Sequence, residues 1–275
     1  MKRKILSITA AAMAVCVAFA LAGCSSAPAS NTNAGANTNA TVSPTAPTNQ
    51  TPNGPTPSES LPSVATILQS FTCYYQDGTL MSTTLTYENG SVTSETVNQG
   101  GTITKAAYAD YDAIGMPWAE TINNARYDFT CKVNSIGLPV ERTVKGSAIT
   151  YKYEYYPNNF PKSQAVYNVA DGALLTEVEY DQLGYITSVT NSYGDLSTYT
   201  YLKDAAGNIT SLKIDTKVGD SATSRTLSVK LDSSGNITDL TDADGIKIYE
   251  AHYVEMPNAT DFTKIMYGFR LGYWG

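Results

Sequence analysis

The most informative stretch of this chain reads EYDQLGYITSVT, residues Glu179–Thr190. At its centre Asp181 opens a four-residue turn that Gly184 closes, which is the composition of a tight turn whose last residue has a positive φ. Before the turn, the apolar Val178 and Tyr180 alternate with glutamates. Alternation with a period of two predicts a β-strand with one buried and one wet face. The stretch therefore predicts a β-hairpin.

The same kind of turn recurs along the chain at intervals of 22 to 28 residues, and a second turn follows each one about ten residues later. The first set of turns ends at Gly115, Gly137, Asn159, Gly184, Gly207 and Gly235. The second set lies at Asn123, Gly146, Gly172, Gly194, Gly219 and Gly245. Each repeat is therefore one hairpin, and the chain is predicted to form about fifteen short strands in an antiparallel meander.

The two ends of the repeat region carry their own signals. Near the start, Asn89-Gly90 joins two alternating runs and is the strongest short hairpin signal. Near the end, Thr260 is a capping residue for a short helix over Asp261–Tyr267, in which apolar residues recur at helical spacing. After this helix we expect a last strand that includes Phe269, Leu271 and Tyr273. Together they are predicted to cover the final edge of the sheet, because terminal units of repeat arrays differ from the others.

Two of the repeats carry a recognisable motif. The stretches Glu179–Thr190 and Asp204–Thr210, the latter reading DAAGNIT, resemble the YD repeat of the RHS family, whose unit is Tyr-Asp-x-x-Gly-Asn/Arg-Leu/Ile-Thr. The resemblance implies antiparallel hairpins stacked along a continuous twisted sheet, as in secreted shells, toxin carriers and adhesion proteins, some with carbohydrate binding ascribed to the repeats. The chain has too few repeats to close a shell and no self-cleavage motif, so the resemblance does not extend to toxin delivery.

The predicted fold is all-β: an antiparallel β-hairpin meander of YD-like repeats that forms an extended, twisted or partly rolled sheet, with a short helix near the C-terminus. This domain is assigned to residues 63–275. Residues 24–62 are rich in Ser, Thr, Asn, Ala and Pro and carry one charge, Glu59. Such a composition cannot bury a core and predicts a disordered linker, with a recognised or glycosylated stalk as the alternative.

The N-terminus has the layout of a secretory signal, with a basic start at Lys2–Lys4 and an apolar stretch over Ile5–Leu21. The following Leu21-Ala22-Gly23-Cys24 resembles the lipobox of bacterial lipoproteins. This resemblance implies removal of residues 1–23 and attachment of acyl chains, such as palmitate, to Cys24. An uncleaved anchor is the alternative, although the apolar stretch is at the short limit for about 30 Å of hydrocarbon. The expected location is extracytoplasmic, lipid-anchored to a bacterial membrane, at the cell surface or on the periplasmic side.

Composition narrows the chemistry. The net charge of −7 disfavours nucleic acid as a partner, and the single histidine excludes a His-based metal site or catalytic triad. Glu177 and Glu179 would lie about 6.6 Å apart on one strand face, which suits glycosidase chemistry, but that face is the wet one. The sequence has no nucleophile elbow, phosphate loop or metal-binding helix. We therefore expect no enzyme activity, no cofactor and no metal.

Tyrosine is the residue type with the most evident binding potential, with 20 copies in the chain. Tyr151, Tyr153 and Tyr155 share one face of a predicted strand, and Tyr199 and Tyr201 would extend this stripe across the sheet. These five are the candidate ligand-binding residues. If the stripe is covered it is core, and if it is open it is a platform on which sugar rings stack, and the sequence leaves both readings open.

Cys73 and Cys131 each follow a phenylalanine by two residues, so both are expected to point inward. In an exported protein they are a candidate disulfide, and two small buried hydrophobes fit the same pattern.

These observations lead to one interpretation and two alternatives. The chain is interpreted as a membrane-anchored extracytoplasmic binding module, for a glycan or a surface protein partner. The alternative is a structural surface or scaffold lipoprotein with no small-molecule ligand. A glycan-active enzyme is a distant third.

Overall fold

The computed structural model describes residues 64–75 and 77–271, and these are mostly β-strand. The strands are β1 (Ala65–Tyr74), β2 (Leu80–Glu88), β3 (Ser91–Gln99), β4 (Thr102–Tyr111), β5 (Pro117–Ile122), β6 (Ala125–Val133), β7 (Pro139–Val144), β8 (Ile149–Tyr155), β9 (Pro161–Asn168), β10 (Leu174–Tyr180), β11 (Ile186–Asn191), β12 (Leu196–Lys203), β13 (Ile209–Val218), β14 (Ser221–Leu231), β15 (Ile237–Thr241) and β16 (Lys247–Met256). They are followed by one short helix, α1 (Asp261–Tyr267), as the sequence predicted. No helix in this described part is long and apolar enough to cross a membrane.

The sixteen strands form one closed antiparallel barrel. Each strand pairs with its neighbours in sequence, and β1 also pairs with β16, where Phe71 lies opposite Ala251 and Cys73 lies opposite Tyr249. The all-β class is confirmed, but the prediction of an extended or partly rolled sheet is wrong. Strand twist has a fixed hand and accumulates across a wide sheet. The first strand therefore comes to lie beside the last, and their pairing removes both open edges.

The turns follow the predicted chemistry. Gly184 has a φ of 86°, and its backbone N–H donates to the carbonyl of Asp181 (3.0 Å). The Asp181 carboxylate accepts hydrogen bonds from the backbone N–H groups of Leu183 and Tyr185, both at 2.9 Å. Asn159 takes the same role with a φ of 65°. The turn prediction is therefore confirmed, because each turn is stabilised within its own few residues.

One end of the barrel is covered by residues 257–271, which we call the capping segment. Strands of a meander alternate in direction, so the first set of turns lies together at this capped end, and the second set lies at the uncapped end. Thr260 N–H donates to the Gly90 carbonyl (2.9 Å), Phe262 N–H to that of Ile114 (3.0 Å) and Arg270 N–H to that of Gly184 (3.1 Å). The expected last strand at Phe269 and Leu271 is wrong, because these residues close the barrel end rather than extend a sheet edge.

The two faces of the barrel wall differ. Apolar and aromatic side chains face the interior, and the capping segment adds to them, with Phe269 stacked on Tyr180 at 4.5 Å between ring centroids. The outer face carries charges in ion pairs such as Lys162 with Glu154 and Lys213 with Asp215, both at 2.8 Å. Charged side chains in mid-strand favour contact with water, so the outer wall is suited to an aqueous environment.

Candidate functional site

Glu95 on β3, Glu120 on β5 and Arg142 on β7 are charged side chains that point into the same part of the barrel interior. Their direction follows from the register, since directly opposed residues of antiparallel strands share a face. Glu120 lies opposite Tyr108 and Arg142 lies opposite Tyr151, and both tyrosines are buried. We call Glu95, Glu120 and Arg142 the interior charged cluster.

Glu120 is the most enclosed acid of this cluster, with 2% of its surface exposed. Its Oε2 atom is buried and accepts no hydrogen bond within the described part of the chain. Burial raises the pKa of Glu120 to about 7, the positive charge of Arg142 opposes this rise, and the negative charge of Glu95 adds to it. A buried acceptor without a partner costs about 1–3 kcal/mol, so this position is not optimised for stability.

Glu95 also faces the interior, because it lies opposite the buried Leu85 and Ala106. The residue is nevertheless half-buried, so part of its surface is accessible to solvent. The Tyr108 hydroxyl donates a hydrogen bond to Glu95 Oε2 (3.0 Å). The surrounding protein raises the pKa of Glu95 to about 7, and the hydrogen bond from Tyr108 limits the rise. Glu95 is therefore a carboxyl group that changes protonation near neutral pH.

Arg142 supplies the positive charge of the cluster and is 4% exposed. Its guanidinium carbon lies 3.5 Å from the centroid of the Phe129 ring, which is a cation–π arrangement. Burial alone would lower its pKa, but the neighbouring Tyr153, Tyr108 and Glu120 outweigh burial and raise the pKa above its ordinary value. Arg142 is therefore protonated at all pH values in which the barrel is folded.

Tyrosine side chains surround the cluster and interact electrostatically with its charged groups. One of them, Tyr267, comes from α1 and meets the ring of Tyr87 edge-on, with centroids 6.2 Å apart. Burial raises the pKa of Tyr153 to about 12. Their hydroxyls are therefore neutral at physiological pH, and their rings are apolar with electron-rich faces. The five residues of this tyrosine collar are Tyr87, Tyr108, Tyr151, Tyr153 and Tyr267.

The interior is more open toward the uncapped end. Thr102 on β4 and both Thr223 and Arg225 on β14 face inward by register and are exposed. At the capped end, by contrast, the inward-facing Ile237 and Tyr185 are buried. Inward-facing side chains are therefore more exposed to solvent at the uncapped end than at the capped end.

The five predicted ligand-binding tyrosines all face the interior rather than an outer surface. Tyr151, Tyr153 and Tyr199 are buried, whereas Tyr155 and Tyr201 are half-buried. The Tyr155 hydroxyl donates to the Pro139 carbonyl (2.7 Å) and the Tyr201 hydroxyl to the Ile186 carbonyl (2.9 Å). The structure brings Tyr151 and Tyr153 to the cluster. An open tyrosine platform on the outside of a sheet is not formed by these residues.

The two cysteines lie on strands that are not neighbours in the barrel. Cys73 is buried on β1, and Cys131 is half-buried on β6. Cys131 lies opposite Arg142, and burial raises the pKa of its thiol. Cys24, the predicted lipidation site, the predicted signal peptide and linker, and Tyr273 lie outside the described residues.

Sequence reasoning missed the interior charged cluster, although part of its signal was present. Glu120 stands between Trp118 and Ile122, and Arg142 stands between Val140 and Val144, each at a position where the alternation calls for an apolar residue. A charge in the apolar phase of a strand indicates a buried polar group that needs a partner.

Comparisons with known proteins supply similarities in structure. No protein-family model and no curated protein matches the chain. The chain is similar to the crystal structure of TcdB2-TccC3-TEV, with 14% identity and a TM-score of 0.32, over 68% of this chain and 11% of that one. It is also similar to porin-like proteins from Bacteroides uniformis ATCC 8492 (15% identity, TM-score 0.41, 69% of this chain and 98% of that one) and Bacteroides vulgatus ATCC 8482 (12% identity, TM-score 0.27, 68% and 98%). None of these similarities assigns a function. The resemblances to lipoproteins and to YD repeats stay predictions.

Proposed function

We propose that this chain is an extracytoplasmic binding module, anchored to a membrane through lipid on Cys24, that takes a small ligand inside its barrel at the interior charged cluster. The observation that carries the proposal is the buried carboxylate of Glu120, whose Oε2 accepts no hydrogen bond within the described residues. A ligand that donates a hydrogen bond there would satisfy it. Binding sites combine apolar and aromatic walls with a few convergent polar groups, and this cluster has that composition.

Energetics support a role other than stability. Burying ionised groups carries a desolvation cost that apolar side chains of similar volume avoid, so an apolar replacement of a buried charged set is often neutral or stabilising. Titratable groups with pKa values moved toward 7 concentrate at functional sites. Glu95 and Glu120 both have such pKa values. A barrel interior that keeps them is therefore better explained by a ligand than by packing.

The proposed anchor is compatible with ligand entry. β1 begins at Ala65, which pairs with Met256, the last residue of β16 before the capping segment. The predicted linker therefore joins the barrel at its capped end. The uncapped end, where inward-facing side chains are exposed, is the end distant from the point of attachment.

A structural surface module without a ligand is the second candidate. It is favoured by Tyr151 and Tyr153, which are 2% and 4% exposed and pack with α1 in one apolar cluster. In this reading the tyrosines are core, and the barrel serves as a stable unit on a tether.

A ligand screen separates these candidates. The full chain in detergent would be melted with panels of simple sugars, small amines and small organic acids. The proposal predicts that at least one class raises the melting temperature, and that Glu120→Gln abolishes the rise. The matched control, Glu154→Gln on the outer wall, should keep it. If no class stabilises the wild-type chain, the ligand proposal fails and the structural module stands.

A further inference from the structure

Resting on this proposed function, we infer that the interior charged cluster binds a small organic cation, whose ammonium group lies between the carboxylates of Glu95 and Glu120 and against the tyrosine collar. The inference names the ligand class and follows from the charge, the acceptors and the rings that meet inside the barrel.

The first argument is charge balance. The cluster holds two carboxylates and one guanidinium, so it carries one net negative charge when all three groups are ionised. Besides its own three members, the titratable groups that interact with the cluster are the Cys131 thiol and the five tyrosines of the collar. Arg142 is the one cation among the cluster and these described groups. A ligand with one positive charge would make the ionised cluster neutral, which is the state that a buried site favours.

The second argument is the type of hydrogen bond that is missing. Glu120 Oε2 is an acceptor, and it lies buried without a donor in the described part of the chain. Thr83, another inward-facing residue, has a buried hydroxyl without a hydrogen-bond partner in the described part, and this hydroxyl can accept as well as donate. It lies opposite Val97, two residues along β3 from Glu95, which makes it a diagonal neighbour of the cluster. An ammonium group has three donors and no acceptor, so it can donate to Glu120 Oε2, which a carboxylate ligand cannot do.

The third argument is the tyrosine collar. Cations are attracted to the faces of aromatic rings within about 6 Å, and more strongly where water is displaced. Arg142 already shows this preference inside the barrel, since its guanidinium lies over Phe129 at 3.5 Å. The edge-on pair of Tyr87 and Tyr267 places two further rings on the Glu95 side of the cluster.

Cation binding has a proton signature that a neutral ligand lacks. Both glutamates have pKa values of about 7, so near neutral pH each is partly protonated. A bound ammonium favours the ionised carboxylates and expels these protons. Affinity for a cation should therefore rise with pH, by at least about tenfold between pH 6 and pH 8 when one carboxyl must lose its proton.

Three four-carbon probes of matched length and at most one charge test the inference: butylamine, 1-butanol and butyrate. Each would be titrated calorimetrically into the full chain at pH 6, 7 and 8, with two buffers of different ionisation enthalpy at pH 7. We expect butylamine to bind, to release protons at pH 7 and to bind more tightly at pH 8, whereas 1-butanol and butyrate do not bind. Glu120→Gln should weaken butylamine binding at least tenfold. Glu154→Gln on the outer wall should leave it unchanged.

Each other outcome would contradict the cation inference, the location of the site or the binding function. If 1-butanol or butyrate binds in a Glu120-dependent way and butylamine does not, the cation inference fails while the binding function holds. If butylamine binds equally well to Glu120→Gln, the site is not the cluster. If none of the three probes and none of the sugar, amine and acid panels has any effect, both proposals fail. Should Glu120→Gln not fold, Glu95→Gln serves in its place, and the proton release of the wild-type chain is read without any variant.

Discussion

Tyr153 is 4% exposed inside the barrel, whereas Tyr193 is 88% exposed in the turn between β11 and β12. Tyrosine thus occurs both in the barrel interior and in an exposed turn. The alternation along β8 places Tyr153 in the interior. Tyr153 packs with Phe129, Val166 and residues of α1. Whether it also touches a ligand depends on the cluster beside it, not on its own exposure.

Replacing each of these two tyrosines with alanine measures how much it contributes to the stability of the barrel. Tyr153→Ala should destabilise the barrel by about 3–5 kcal/mol, because it leaves a large cavity in a packed interior. Tyr193→Ala should change stability by no more than about 0.5 kcal/mol. Urea unfolding of both variants checks the prediction. Similar midpoints for the two would show that Tyr153 is not in the core.

The two interior glutamates should make stability depend on pH. Their pKa values of about 7 in the folded barrel exceed the value of about 4.3 in an unfolded chain. Between these values the folded state binds more protons than the unfolded state, so stability falls as pH rises. The urea midpoint should therefore be higher at pH 5 than at pH 8. Exposed acids with lowered pKa values, such as Asp204 and Asp215, lose their contribution only below about pH 4.

A single substitution assigns this pH dependence. Glu120→Gln should remove about half of the change in midpoint between pH 5 and pH 8, because one of the two titrating groups is gone. Glu154→Gln, on the outer wall, should keep the full change. A wild-type midpoint that rises from pH 5 to pH 8 would contradict the placement of the two glutamates inside the barrel.

At the scale of elements, the hairpin turns are stabilised by local contacts, whereas the capping segment is stabilised by contacts with residues distant in sequence. A turn such as Asp204 to Gly207 is stabilised by its own atoms, with the Asp204 carboxylate accepting from the N–H groups of Ala206 and Asn208, both at 2.9 Å. The capping segment instead depends on turns distant in sequence. Thr260 contacts Gly90, and the side chain of Arg270 donates to the carbonyls of Leu183 and Ser234.

Alanine substitutions at two glycines separate the stability of a turn itself from its contact with the capping segment. Gly90 and Gly207 have nearly the same φ, 82° and 87°, so an alanine at either site incurs similar backbone strain. A Cβ at Gly207 meets no atom within 4 Å, whereas a Cβ at Gly90 would collide with the backbone carbonyl of Asn258 in the capping segment. Gly90→Ala should therefore cost at least about 1 kcal/mol more than Gly207→Ala. Equal urea midpoints would show that the capping segment does not rest on the β2–β3 turn.

At the scale of the whole molecule, closure and attachment determine what the barrel can present. Pairing of β1 with β16 leaves no open strand edge among the sixteen, so recognition by strand addition is unavailable to the closed barrel. Ligand access then depends on the two ends. One is covered by the capping segment, and the predicted linker joins the barrel there.

The proposed lipid attachment is tested by replacing Cys24, the residue that would accept the lipid. Cys24→Ala should give an unprocessed precursor that incorporates no lipid label, because the thiol is the acceptor and processing follows acylation. Metabolic labelling with a palmitate analogue, read beside the electrophoretic mobility of the chain, checks this. Normal processing and labelling of the variant would rule out the lipoprotein assignment.

Some features of this protein were determined by the sequence itself. The turn residues, the alternation on the strands and the helix at Asp261–Tyr267 were predictable, because each depends on residues within a few positions of one another. For the same reason, the placement of Tyr151 and Tyr153 on one shared face followed from the pattern of β8. The resemblance of residues 21–24 to a lipobox is equally local.

Only the tertiary structure decided how these local units meet. Phe71 pairs with Ala251 across 180 positions of sequence, and no local pattern shows that the accumulated twist of sixteen strands brings the first beside the last. Phe269 and Leu271 of the capping segment were expected to form an edge strand for the same reason, since the sheet has no edge once it closes. Glu95, Glu120 and Arg142 lie on three different strands. They form one cluster because closure turns one face of every strand toward a shared, water-poor interior. Charges interact strongly in such an interior and need partners there.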